Sequence, residues 1–414
     1  MSRLLLLLAV AAWATAAPLP FHNMPRGHDW PQFRGPARDN LSTDRKLLRA
    51  WPAAGPPLAW KSEGVGSGFA SVIVSAGKVL TMGDRGGETF VVALSQATGK
   101  QEWSARIGKA GKAGSHAGAR STPATDGRRV FALGEKGDLV CLDFKTGKEL
   151  WRKDLVEDFG GKPGTWGYAE SPLLDGDRLV VTPGGEKATV VALDKDGKEA
   201  WRSAAGMPAG YASLVPFRSG NTRLYAQLTA DGALGVSAED GAVLWKHGKL
   251  KGISNACSPV AVPGHVFVSA GMKGGGSLLA LGKKEMKEAW HRAELKNRFG
   301  GVLATGDLLF GDTDMEGRPF CAEWKTGKAK WVRAKGSSRG AGSATMTWAD
   351  GHLYVLYENG HLALVPATAE GYREAASLQL DNSKRTSRAV PVVVGGKLYV
   401  REQDVVRCYD VAAK

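Results

Sequence analysis

Four carboxylates, Asp312, Asp314, Glu316 and Glu323, follow the order D-x-D-x-E-G-x5-E. That order is close to the ligand spacing of a calcium loop, whose fifth position prefers Asp or Asn and whose flanks are helices. Here Glu316 holds the fifth position and both flanks read as strands. The expectation is an acidic turn between the second and third strands of a four-stranded unit, with Glu323 on the third strand. Calcium has little support, and no metal site is assigned.

A second set of residues is scattered over seven segments, most of them containing glycine: His116, Arg120, Trp166, Tyr168, Glu170, Tyr211, Asn255, Arg298, Arg339, Arg385 and Arg388. Guanidinium groups grip carboxylates bidentately, so five arginines against one carboxylate suit an anionic ligand. Trp166, Tyr168 and Tyr211 could stack on a planar or sugar ring. Glu170 and His116 alone are suited to proton transfer, and nothing in the sequence brings them together. No catalytic residue is assigned. The competing description is an ordinary polar rim with glycine-driven turns. No phosphate loop leading into a helix and no G-x-S-x-G elbow is present.

Such residues act together only if the chain gathers them, and a repeat does this. VVALSQATGKQEW (91–103), LVCLDFKTGKELW (139–151), TVVALDKDGKEAW (189–201), ALGVSAEDGAVLW (233–245), SLLALGKKEMKEAW (277–290) and FCAEWKTGKAKW (320–331) share one pattern. Each is an alternating strand, a tight turn and a second strand ending in tryptophan. Trp60, Trp103, Trp151, Trp201, Trp245, Trp290 and Trp331 recur every 41 to 50 residues. Four strands at that period are a propeller blade. STPATDG, RRVFALG, DLVCLDF and KELW are the four strands of the second blade, from the inner strand outward. The tryptophans are expected to fill the wedges between blades. The loops entering each inner strand then converge on one mouth of the central channel, and these loops carry the second set.

A weaker copy, LALVPATAEGYREA (362–375), follows at the same period. The tail holds three strands only, AVPVVV, KLYVRE and VVRCYDV, and PPLAW (56–60) supplies the fourth. The fold class is therefore all-β: an eight-bladed propeller of four-stranded antiparallel blades, its ring closed by the N-terminal strand. Seven blades is the alternative if 361–375 is an insertion.

Composition agrees. The 414 residues include 55 glycines and 13 tryptophans, as many turns and few, large inter-blade fillers require. The net charge of +14 favours acidic partners, with no block of five or six like charges. Cys141, Cys257, Cys321 and Cys408 form no CxxC or adjacent pair, and buried free thiols are expected. Residues 1–17 read as a signal peptide, with Arg3, the apolar run Leu4 to Ala12 and cleavage after Ala16 or Ala17. No other stretch approaches the roughly 20 apolar residues that span a bilayer. The division is signal peptide 1–17, leader 18–50 and propeller 51–414. A periplasmic or secreted monomer is expected, with no nucleic-acid partner.

The motif ALD-x-x-TGK-x-x-W, present as CLDFKTGKELW and ALDKDGKEAW, resembles the pyrroloquinoline-quinone (PQQ) repeat family of eight-bladed propellers. The leader DWPQFRGPARDN (29–40) and the ending LYVREQDVVRCYDV look like those of its secreted bacterial branch. The resemblance implies one of two activities. Quinoprotein alcohol dehydrogenases bind PQQ with calcium; the outer-membrane assembly lipoprotein binds other proteins. The dehydrogenases are much longer and set a disulfide of adjacent cysteines against the quinone, which this sequence lacks. The lipoprotein needs an anchoring cysteine, and none follows the signal here. The expectation is a non-catalytic propeller binding an acidic protein surface or an anionic small ligand at an arginine-lined mouth. PQQ-dependent oxidation of an alcohol or sugar, and a scaffold role in envelope assembly, are the alternatives.

Overall fold

The computed structural model describes residues 29–111, 117–250, 254–272, 274–281, 286–314, 316–381 and 386–413. Residues 1–28, which include the expected signal peptide, and His116 and Arg385 lie outside them. Thirty-two strands form eight antiparallel four-stranded sheets. Blades 1 to 7 cover 73–109, 124–154, 173–203, 215–247, 260–292, 303–332 and 344–379. Blade 8 takes three strands from 392–410, and its outer strand is Leu58–Glu63, paired antiparallel with Val405–Asp410. The N-terminal strand thus closes the ring, slightly displaced from the 56–60 read in the sequence. The copy at 362–375 lies within blade 7, whose outer strand is Ala376–Gln379, so the count is eight.

Each strand alternates its side chains between the two faces of its blade, and both faces are covered by neighbouring blades. Buried apolar residues accordingly gather in eight clusters, each shared by two adjacent blades. One cluster joins Val91 and Ala93 of blade 1 to Val140 and Leu142 of blade 2. Burying each valine or leucine among them stabilises by roughly 1.5–3 kcal/mol.

The blade tryptophans sit in these wedges, and six of the seven reach forward by one blade. The indole N–H of Trp103 donates to the carbonyl of Phe144 at 3.2 Å, and that of Trp201 to Ala238 at 3.2 Å. Trp60, Trp151, Trp290 and Trp331 do the same to Gln96, Lys195, Trp324 and Thr368. For Trp245 the corresponding positions, 282–285, are outside the described residues. Within its own blade each tryptophan stands opposite a residue of the third strand, such as Ala93, Cys141, Ala192 or Cys321.

Ring closure has its own clasp. The buried guanidinium of Arg401, on the second strand of blade 8, donates to the carbonyls of Gly66 and Ala70 at 3.0 Å and to Thr81 Oγ1 at 2.6 Å, and also reaches Met82. Burial pushes its pKa down to about 9. All four cysteines are free and buried. No helix among the described residues is long and apolar enough to cross a membrane.

Candidate functional site

The leader is built into the channel. Trp30 exchanges backbone hydrogen bonds with Val74 of blade 1, at 2.7 and 3.0 Å. Thr125 of blade 2 donates to the Pro31 carbonyl at 2.9 Å, and Leu174 of blade 3 to Gln32 Oε1 at 3.2 Å. Arg38, fully buried, donates to the carbonyls of Ser171 and Pro172 at 2.9 Å each. Arg34 crosses to the Val302 carbonyl of blade 6. The segment then leaves past blade 7, where Asn40 and Ser42 bracket Trp348 in backbone hydrogen bonds. Arg34, Arg38 and Asn40 all have positive φ, at 66°, 55° and 61°. Such conformations in non-glycine residues persist only where the surroundings enforce them.

On the mouth side, inner strands begin with small hydroxyl residues that join blade to blade. The N–H of Ser71 donates to Thr122 Oγ1, that of Thr122 to Ser171 Oγ and that of Ser171 to Ser213 Oγ, each at 2.9 Å. Ser213 continues to Ser258 at 3.2 Å. The corresponding position of blade 6 is Gly301, against which the Arg34 guanidinium packs.

Above this belt lies a cavity of about 250 Å³. Among the described residues, loops of every blade except blade 7 contribute. Phe69 comes from blade 1, Arg120 from blade 2, Trp166 from blade 3, Tyr211 from blade 4, Arg298 and Phe299 from the loop into blade 6, and Arg388 from blade 8. The leader adds Phe33 from below. Trp166 and Tyr211 pair as rings 5.4 Å apart. Across the cavity the Arg388 guanidinium lies 4.3 Å from the Phe299 ring centroid and 5.2 Å from that of Phe69. Arg298 lies 4.9 Å from Phe299 and donates to Ser254 Oγ at 3.1 Å.

Two of the arginines already hold carboxylates. Arg120 pairs with Glu135 at 2.9 Å and Arg388 with Glu358 at 2.5 Å. Both acids stand in turns between second and third strands, outside the cavity lining. Of the residues singled out in the sequence, Arg120, Trp166, Tyr211, Arg298 and Arg388 meet at the cavity. Tyr168 does not: its ring joins the core between blades 2 and 3, and its hydroxyl donates to the Pro183 carbonyl at 2.9 Å. Asn255 is consumed by backbone, donating to Thr229 and Leu250 carbonyls at 2.7 and 2.9 Å. Arg339 is exposed on the blade 7 loop, away from the cavity.

Glu170 is buried in the channel wall, where it accepts from the N–H of Thr182 and from Gln227 Nε2 at 2.8 Å. Burial pushes its carboxyl up to about 7, against those hydrogen bonds and the charge of Arg38. Phe33, Phe69 and Phe299 also line the cavity and are absent from the set read in the sequence. Phe69 precedes its inner strand as the other mouth residues precede theirs, a positional signal that was available.

The acidic turn behaves as a turn. It links Leu308–Thr313 to Arg318–Glu323. Asp312 accepts from the Ala344 N–H at 3.1 Å, Asp314 from that of Met272, and Glu316 pairs with Arg318 at 3.3 Å. Glu323 pairs with Lys330 at the far end of its strand, 2.5 Å away. Among the described residues no three His, Cys, Asp or Glu side chains are grouped to hold a metal ion.

Comparison with known proteins places this geometry. A family model described as outer membrane protein assembly factor BamB matches residues 87–333. The BamB of Nitrosomonas eutropha is 25% identical over 258 residues, 57% of this chain and 55% of that protein. The BamB of Burkholderia pseudomallei is 24% identical over 254 residues, 58% and 61% respectively. The chain thus spans little more than half the length of these relatives. The crystal structure of BamB from Moraxella catarrhalis superposes with a TM-score of 0.58 at 16% identity, covering 83% of this chain and 94% of that one. Quinohemoprotein alcohol dehydrogenase from Comamonas testosteroni gives 0.66 at 14% identity, covering 95% and 82%. At such identities the two structures share the fold alone. With more than half of its length matched by the family model, the chain belongs to the family of the outer membrane protein assembly factor BamB.

Proposed function

We propose that this protein is an exported, non-catalytic propeller that binds an acidic ligand or protein partner at its channel mouth. One observation carries the reading. Three arginines from three loops, Arg120, Arg298 and Arg388, surround a single aromatic cavity that no carboxylate lines among the described residues. Arg298 and Arg388 lie over aromatic rings, and the planar guanidinium fork suits bidentate capture of a carboxylate. The relatives' names, which concern outer membrane protein assembly, support a protein as the partner and the cell envelope as the location.

The test is a peptide array of acidic, neutral and basic sequences probed with wild-type protein and with Arg298→Glu. Salt-sensitive capture of acidic peptides, lost in the variant, is expected. Equal capture by the variant, or a preference for basic peptides, would overturn the reading.

A quinoprotein activity fits the residues less well. PQQ carries three carboxylates that the arginines could bind, but it is used with calcium. Two carboxylates beside the cavity, Glu135 and Glu358, are each paired with an arginine of its lining. The four thiols lie buried and unpaired. Addition of PQQ and calcium should leave the melting temperature unchanged and support no dye reduction with alcohols. A rise in melting temperature with dye reduction would reverse this conclusion.

A further inference from the structure

The mouth cavity is not isolated. A second hollow, of about 570 Å³, lies between blades 8 and 1 and shares Phe69 with it as a common wall. Its chemistry is different. Gly64, Gly66 and Ser67 give it a low backbone rim, and its charged groups include Asp84 and Asp404. Arg85, also in its lining, lies with its guanidinium 5.4 Å from the Phe90 ring centroid. The Asp84 carboxylate accepts from Thr89 at 2.7 Å. The groove is stiffened from beneath, because Arg401 ties Gly66 at 3.0 Å and the Gln403 carbonyl at 2.8 Å.

Resting on the binding reading above, we infer that the ligand is an extended polypeptide segment. It places an acidic, aromatic-containing stretch in the mouth and a basic side chain in the groove beyond Phe69. The cavity of about 250 Å³ has room for a side chain but not for a folded element. A chain anchored there must leave over the rim, and the groove continues directly from the Phe69 edge. An extended residue advances by about 3.3 Å, so a short spacer carries the chain across one shared ring. Arginines on one side of Phe69, and Asp84 and Asp404 outnumbering Arg85 on the other, then read opposite charges in sequence order. Peptide recognition of this kind takes affinity from an anchor and specificity from the flanking pocket.

The test uses fluorescein-labelled peptides and polarisation. The short probe is an acetylated Asp-Phe amide. The long probes add one, two or three glycines and then lysine, with glutamate replacing that lysine in matched controls. At least one lysine peptide should bind about tenfold more tightly than the short probe, and its glutamate control should lose that gain. Asp404→Asn should reduce the gain while leaving the short probe unchanged. The lysine-to-glutamate arm needs no protein variant, so it stands even if Asp404→Asn folds poorly. Equal affinity for short and long probes, or for lysine and glutamate peptides, would overturn the groove while leaving the mouth in place. Failure of every probe to bind would overturn both.

Discussion

The ring of Trp103 lies so close to Gly147 of the following blade that a Cβ at Gly147 would sit 2.6 Å from its Cε3. The same contact recurs between Trp60 and Gly99 at 2.5 Å and between Trp201 and Gly241 at 2.4 Å. The glycine of the repeated turn therefore does two things. It takes a positive φ, 72° at Gly147, and it leaves room for the preceding blade's indole. Tryptophan and glycine look like separate marks of one repeat, but they form a joint between two repeats. In a ring whose units touch only their neighbours, such joints carry much of the cooperativity.

A comparison of two glycines tests the joint. Gly176 also has a positive φ, 62°, but a Cβ there would meet nothing within 4 Å. Gly176→Ala should cost about 1–2 kcal/mol from the backbone alone. Gly147→Ala should cost about 1–3 kcal/mol more, because the ring must move. Trp103→Ala should cost about 3–5 kcal/mol, and combined with Gly147→Ala the losses should fall short of additive. Urea unfolding of the four variants decides it; equal costs at Gly147 and Gly176 would remove the joint from the argument.

The repeat made the fold legible. Tryptophan spacing gave the blade count, and the three-strand tail required the N-terminal strand that pairs with Val405–Asp410. The convergence of mouth loops was legible for the same reason, since the first turn of every unit lies on one face. What the repeat does not describe could not be read. DWPQFRGPARDN has neither strand nor helix period, and its path depends on Arg34 and Arg38 finding carbonyls on blades 6 and 3. Nor could a residue's distance from the channel axis be read. Tyr168 and Asn255 stand in mouth segments as Trp166 and Tyr211 do, yet they turn into the wall and satisfy buried backbone.

The buried acids give stability a pH dependence of two signs. Glu170, pushed up to about 7 mainly by burial, keeps its proton in the folded state after the unfolded chain has released it near 4.5. Stability from this group therefore falls as pH rises from about 4.5 to 7, by on the order of 3 kcal/mol. Asp39, pushed up to about 6 by burial, acts in the same sense. Glu374 opposes them. Burial would raise its pKa, but hydrogen bonds from His361, Ser338 and Tyr372 and the His361 charge hold it down to about 2. Its contribution is complete above about 4.5 and is lost as pH falls towards 2. Glu170→Gln should flatten the neutral limb of a stability profile, and Glu374→Gln the acid limb. An unchanged neutral slope in Glu170→Gln would show that this carboxyl is not the buried acid responsible.

The thiols should be silent in the folded protein. Burial pushes Cys141, Cys321 and Cys408 up to about 12 and Cys257 up to about 11, and the reactive species is the thiolate. An aromatic disulfide reagent at pH 8 should titrate none of the four within minutes in native protein and all four in guanidinium chloride. Rapid native reaction of one thiol would place it in a wedge that opens.

Phe33 links the leader to the binding site, and a single substitution can separate its two roles. The leader is held by Trp30, Gln32, Arg34 and Arg38, none of which depends on the Phe33 ring. Phe33 is only partly buried, so Phe33→Ala should cost about 1–2 kcal/mol of stability, below the range for a fully buried phenylalanine. The effect on binding should be larger. With the ring removed, the apolar end of an anchor loses its floor, and affinity for the Asp-Phe probe should fall by about tenfold. Phe33→Leu should restore most of it, because the floor requires apolar volume and not a ring. Arg38→Met should behave differently: it removes a buried guanidinium from two carbonyls, and unsatisfied buried acceptors cost about 1–3 kcal/mol each, so its main effect is on the melting temperature. If Phe33→Ala binds the probe as wild type does, the leader closes the channel without shaping its mouth.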